Sequence, residues 1–283
     1  MASATILKVK RGHNPGLSFV ALAAVVWLIA GAPSVDTQPA PNDRIAIDYV
    51  DPTNREHEFF RDLLKRHGAL ERMRDRLSSI RWPRTLRLEL KGCDGDSNAS
   101  YDDAVITVCY EFMADFWKSA NSSARPQSIS MPDAFVGPFF DTFLHEAGHA
   151  MFDLLKIPVL GREEDAADQI STYLMLQFPA EEKRRLILGS AYSYASELRV
   201  RNVRDLYRPR ISFSRHIASA NEHSTPAQRL FNLLCIAYGS DKELFAELVE
   251  KNYLPKERAE MCADEYRQVD FAYRTLIEPH VDK

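Results

Sequence analysis

The sequence predicts an α+β fold, a small N-terminal sheet followed by a mainly helical half. Three observations carry this. Before residue 111, three short stretches read as strands, two by alternation of apolar and polar residues and one by its β-branched content. After Glu111, apolar residues recur at three- and four-residue steps in one segment after another. Gly, Pro, Asp and Asn fall between these segments as turn signals.

Ile45 to Val50 alternates as a short strand. From Asn54 to about Ser79 the spacing of Phe59, Leu63, Leu64, Leu70, Met73 and Leu77 predicts a helix. Pro83 interrupts the chain, and Leu86, Leu88 and Leu90 then alternate with charged or polar neighbours as a second strand. A loop follows, with Asp94-Gly95-Asp96 as its turn. Ala104 to Tyr110 is short and β-branched, a third strand that is either an open edge able to pair with an extended substrate or a buried one. Helices are expected near 111–121, 134–156, 163–177, 180–200, 225–238, 241–251 and 255–277, with Pro158 and Gly161 separating the second from the third.

The chain has 283 residues, 45% hydrophobic and 27% charged, which excludes a disordered or low-complexity protein. Its net charge of −4 offers no broadly basic surface, so nucleic acid is not an expected partner. Arg72 to Arg76 reads as a solvated helix face. Lys8, Lys10 and Arg11 precede an apolar run from Leu17 to Ala32, and a polar stretch follows. Residues 1–34 therefore read as a signal peptide or an N-terminal membrane anchor, 35–43 as a linker and 44–283 as the functional domain. Cleavage is expected near Ser34 or Ala40, and loss of 1–34 would leave a net charge of −7. The protein is then exported, periplasmic or secreted, or held in the inner membrane by residues 17–32. In an oxidising compartment, proximity along the chain favours Cys93 with Cys109 and Cys235 with Cys262 among the three pairings open to four cysteines. Four buried thiols are the alternative in a reducing compartment.

His145-Glu146-Ala147-Gly148-His149 stands above every other motif. On a helix, residues four apart lie one turn above another on one face. Two imidazoles so placed can hold one Zn2+, and Glu146 is the general base. Phe139, Phe140, Phe143, Leu144, Ala147, Ala150, Met151, Leu154 and Leu155 make this a core helix. A catalytic zinc needs a third protein ligand, and Glu164 with Asp168 one turn later supplies a candidate pair. Glu164 ligates, while Asp168 accepts a hydrogen bond from a ligand imidazole and fixes its tautomer. Glu163 and Asp165 are rival ligands, but neither has an acid four residues on. Asp141 and Asp153 sit one turn either side of the histidine pair; they either support the ligands or, on the plainer reading, face solvent as helix acids.

His145-Glu-x-x-His149 followed by Glu164-x-x-x-Asp168 resembles the gluzincin metallopeptidases, with a short connection between the two helices. The resemblance implies a zincin-type helical half, one zinc per chain and peptidase chemistry. The metzincin pattern fails, because Phe152 and Leu155 stand where it requires Gly and His. From about Ile45 onward the chain is similar to a bacterial metallopeptidase family known mainly as a domain of unknown function. The matching stretches are Asn98 to Tyr101, Cys109 to Glu111, the His145–His149 helix, Glu164 to Gln169, Glu222 to Ser224, Gln228-Arg229 with Asn232 to Cys235, and Tyr238-Gly239.

The sequence reading is therefore an exported zinc metalloendopeptidase acting on a peptide or protein substrate. Glu146 moves the proton, and His223 either donates to the carbonyl oxygen, with Tyr192, Tyr194 and Tyr173 behind it as candidates, or only positions its loop. Ser224 or Thr225 would cap the helix after His223. Two other readings remain: a non-catalytic binding or scaffold protein stabilised by the metal, and a zinc hydrolase of a non-peptide bond.

Overall fold

The computed structural model describes residues 44–198 and 222–282. The signal or anchor read over 1–34, including the 17–32 run, and the linker at 35–43 lie outside the described residues.

Four strands form one sheet: β1 (Ile45–Tyr49), β2 (Leu86–Lys91), β3 (Ala99–Asp102) and β4 (Val105–Cys109), in the order β1-β2-β4-β3. The first three neighbours are parallel and β3 is antiparallel to β4. Of the two alternatives for the third strand, β4 is interior and β3 is the edge. Sequence reading placed β3 in a loop, because its four residues are polar at alternate positions and carry no apolar run. Its hairpin turns through Asp103 and Ala104, both at positive φ, the backbone of a two-residue primed turn. Leu86, Leu88, Leu90, Ile106 and Val108 are fully buried, so the alternation marked the covered face correctly.

The expected 54–79 helix is two helices, α1 (Arg55–Arg66) and α2 (Ala69–Leu77). Gly68 breaks them at φ +59, a conformation open to glycine at little cost. Leu70, Met73 and Leu77 of α2 are buried, while Arg72, Arg74, Asp75 and Arg76 lie outside the core. They are not all solvated: Arg72 pairs with Glu182, and Arg76 donates to the Leu174 carbonyl and lies over the Phe178 ring.

The helical half comprises α3 (Tyr110–Ala120), α4 (Met131–Leu154), α5 (Glu163–Met175), α6 (Ala180–Glu197), α7 (Pro226–Ser240), α8 (Ala246–Glu250) and α9 (Lys256–Leu276). Helix α4 is apolar on almost every side, so it runs through the middle, packed on α3, α5, α6 and β3. Ser130 caps its start by accepting from the Asp133 N–H. Thr225, not Ser224, caps α7, in a reciprocal box with Gln228. Disulfides join Cys93 to Cys109 and Cys235 to Cys262. The first ties the β2–β3 loop to the end of β4, the second staples α7 to α9, and both fit an oxidising compartment. Among the described residues no helix is long and apolar enough to cross a membrane.

Candidate metal centre

His145 and His149 project from one face of α4 toward the first turn of α5. His145 is 5% exposed and Glu146 is 8% exposed, so both are fixed by packing. Gly148 is what lets the second helix come near. A Cβ added there would stand 3.0 Å from the Ala167 Cα, so any larger residue would press α5 away from α4.

That approach brings the acids of the α5 first turn onto the histidines. Acids are favoured at this position by the helix dipole in any case; here they also have partners. Glu164 Oε2 lies 3.0 Å from His145 Nε2, Glu164 Oε1 lies 3.5 Å from His149 Nε2, and the two Nε2 atoms are 3.2 Å apart. The outer nitrogens are engaged by other carboxylates. His145 Nδ1 meets Asp168 Oδ1 at 2.8 Å, and His149 Nδ1 meets Glu163 Oε1 at 2.8 Å. An ionised carboxylate only accepts, so each Nδ1 carries its proton, and each Nε2 turns inward, protonated where it meets Glu164 and able to offer its lone pair once a cation takes that proton's place. Two lone pairs at 3.2 Å repel unless a proton or a cation sits with them. Donors about 2.0–2.1 Å from a tetrahedral ion are roughly 3.3 Å from one another, close to the separations found. The donor set thus fits a metal ion: two imidazole nitrogens and one carboxylate converge, with all three ligand atoms within 4.8 Å of one another.

The charges in the site reflect this crowding. Burial works against a charged His145, yet its bonds to Asp168 and Glu164 prevail and push its pKa up to about 9. The bonds from His145, His149 and His223 hold the Glu164 carboxyl well below the usual carboxylate range. Burial raises the Glu146 carboxyl, and the neighbouring histidines moderate that rise. A carboxylate with a raised pKa is a stronger base, which suits proton transfer near neutral pH.

The rival ligands have other work: Glu163 supports His149, and Asp165 accepts from the Ser224 hydroxyl at 2.6 Å. His223 Nε2 is 2.8 Å from Glu164 Oε2, so this histidine joins the cluster. The tyrosines do not serve as expected. Tyr173 donates to Asp270 and Tyr192 to the Ser119 carbonyl, and neither lines the cavity. Tyr194 lines it, but its hydroxyl proton goes to Asp141. Asp141 is not solvent-facing; it is buried and accepts from Ser171 as well. Asp153 is exposed and holds Tyr101 and Lys156.

Arg229 was given no role by sequence reasoning. Its guanidinium grips Asp168 through two N–H groups, at 2.8 and 2.5 Å, and lies over the Tyr194 ring at 4.8 Å. The signal was present: an arginine beside the apolar stripe Leu230, Leu233, Leu234 and Ile236 of α7 must be paired once that stripe is buried. A cavity of about 760 Å3 opens over the cluster, bounded by the β3 edge from Asn98 to Tyr101 and by α3, α4, α5, α6 and the start of α7.

The sequence model of a family described as "Putative metallopeptidase" matches residues 49–277. The chain belongs to that family. No curated protein and no solved structure matches it. The matched region takes in the whole sheet from β2 onward and every residue of the cluster, so the metallopeptidase family and the candidate metal centre coincide in one domain.

Proposed function

We propose that this metallopeptidase is a zinc-dependent endopeptidase acting outside the cytoplasm, with His145, His149 and Glu164 holding one Zn2+ per chain. The observation that carries the reading is the pair of inward Nε2 atoms at 3.2 Å beside Glu164, with both outer nitrogens pinned by carboxylates. Imidazole and carboxylate donors with one position left open suit zinc. When bound, zinc would polarise a carbonyl oxygen and acidify water in the site.

The chain's own residues do the rest. Glu146, buried at the cavity floor, takes a proton from the attacking water and later passes it to the leaving amine. His223 stands close enough to Glu164 to donate to the carbonyl oxygen as it gains charge. Asp168 holds the His145 ring, and Arg229 holds Asp168. The free side of β3 borders the cavity, so an extended peptide can add to it as a further strand. Export is supported by the two disulfides and by the basic and apolar order of residues 8–32.

The test is a peptide-library digest with zinc-loaded wild type, chelated wild type and Glu146→Gln. Only the first should cleave, and Glu146→Gln should keep its metal while losing at least about 10²-fold in rate. Equal cleavage by wild type and variant would remove Glu146 as the base. No cleavage by any of the three would favour a metal-stabilised binding protein.

A further inference from the structure

We infer that the cleft selects peptides carrying a lysine or arginine side chain, whose cationic head is received by Glu197. The inference rests on the peptidase reading and adds a substrate class to it.

The cavity follows α4 from Pro138 to His149, roughly 16 Å at the rise of an α-helix. Most charges along it are already spent. Asp141 takes the hydroxyls of Ser171 and Tyr194, Asp168 is shared by His145 and Arg229, and Glu163 and Glu164 serve the histidines. Glu146 faces the metal cluster. Glu197, in the last turn of α6, lines the same cavity with no hydrogen bond or ion pair among the described residues. At the opposite end, beside Glu163, Arg162 lines the cavity without an ion pair among the described residues. Among the described residues, the charges lining the cleft without an ion pair are thus Glu197 at the α6 end, Glu222 just before α7, and Arg162 at the α5 end.

The surroundings of Glu197 suit a long cation. The α6 end abuts α3, where Ser196 contacts Ser119 and Tyr192 donates to the Ser119 carbonyl. One and two turns earlier on α3, the Phe116 and Phe112 rings pack 4.4 Å apart and line the cavity. A lysine or arginine can lay its methylenes on these rings and extend its head to the carboxylate. The Arg229 charge acts on Glu197, but its donors are committed to Asp168. Glu197 is exposed where it lines the cavity, so its carboxylate is open to an arriving cation. An acidic side chain would meet like charge, and an apolar one would leave the carboxylate without a partner.

The experiment measures binding, so it does not depend on turnover. Zinc-loaded Glu146→Gln protein is titrated, by fluorescence anisotropy, with labelled peptides that differ only in Lys, Leu or Glu at each position in turn. At one position Lys should bind about tenfold more tightly than Glu. Adding Glu197→Gln, which keeps size, should reduce that ratio to about twofold, and Glu197→Lys should invert it. Zinc content of one per chain in each variant shows that the site is intact. Absence of any charge preference, a preference that survives Glu197→Lys, or no peptide binding at all would overturn the inference. Wild-type cleavage of the same peptides separates the two readings. Charge-selective binding without cleavage keeps Glu197 and removes the peptidase, whereas cleavage without charge preference does the reverse.

Discussion

Deleting the Asp168 carboxylate should cost the fold more than it costs the metal. In Asp168→Ala the His145 Nδ1–H loses its acceptor and Arg229 loses both ends of its fork. Breaking a buried ion pair from one side costs about 3–5 kcal/mol, because the remaining charge stays buried. The Arg229 and Asp168 side chains are 21% and 16% exposed, and the Tyr194 ring stays under the guanidinium. The low end, about 3 kcal/mol, is therefore expected. Arg229→Leu in the same protein removes the stranded charge, so the double variant should be at least about 1 kcal/mol more stable than the sum of the two losses implies. The assay is urea unfolding in excess chelator, followed by far-UV circular dichroism, so that metal binding does not contribute. Zinc affinity, measured separately, should fall only about 10–100-fold in Asp168→Ala. A stability loss below about 0.5 kcal/mol, or strict additivity in the double variant, would refute the paired Asp168–Arg229 account.

Two further perturbations test the close approach of α4 to α5 and the anchoring of the β2–β3 loop. Gly148→Ala would gain intrinsic helix propensity of about 1 kcal/mol in an open helix, but the Ala167 Cα 3.0 Å away must yield slightly to admit the new methyl; zinc affinity should fall as α5 is pushed outward, and unchanged affinity would contradict the role given to this glycine. Glu111 accepts from the Cys93 and Gly95 N–H groups, which offset the burial that works against its charge and keep its carboxyl below the ordinary 4.5. Glu111→Gln should lose about 1 kcal/mol near pH 7. Because the folded pKa is depressed, that advantage of wild type is full above about pH 4.5 and fades as pH falls through the folded value; a gap constant from pH 7 to pH 3 would contradict it.

How much of this was legible depended on whether the signal was local. The helix carrying His145 and His149 announces itself through its own spacing, and Glu164 with Asp168 through a spacing of four on the next helix. The α+β order, the apolar strands and the two cysteine pairings likewise follow from residues near one another in sequence, whereas the interior place of β4 is set by pairing with β2 and β3. Contacts across the chain were harder to see. Asp141 looked like a surface acid because its partners, Ser171 and Tyr194, lie 30 and 53 residues away. Arg229 reaches Asp168 across 61 residues, and nothing in its neighbourhood names that partner. The β3 edge has only four residues, too few for a strand pattern, and exists because β4 pairs with it. Tyr173 and Tyr192 looked available until the fold gave their hydroxyls acceptors elsewhere.

The most direct test of the metal centre is zinc content by elemental analysis of wild type, His149→Ala and Glu164→Ala, each equilibrated with zinc and then desalted. The account predicts one zinc per chain in wild type and none retained by either variant, since each loses one of three protein ligands. Equal zinc in all three proteins would contradict it.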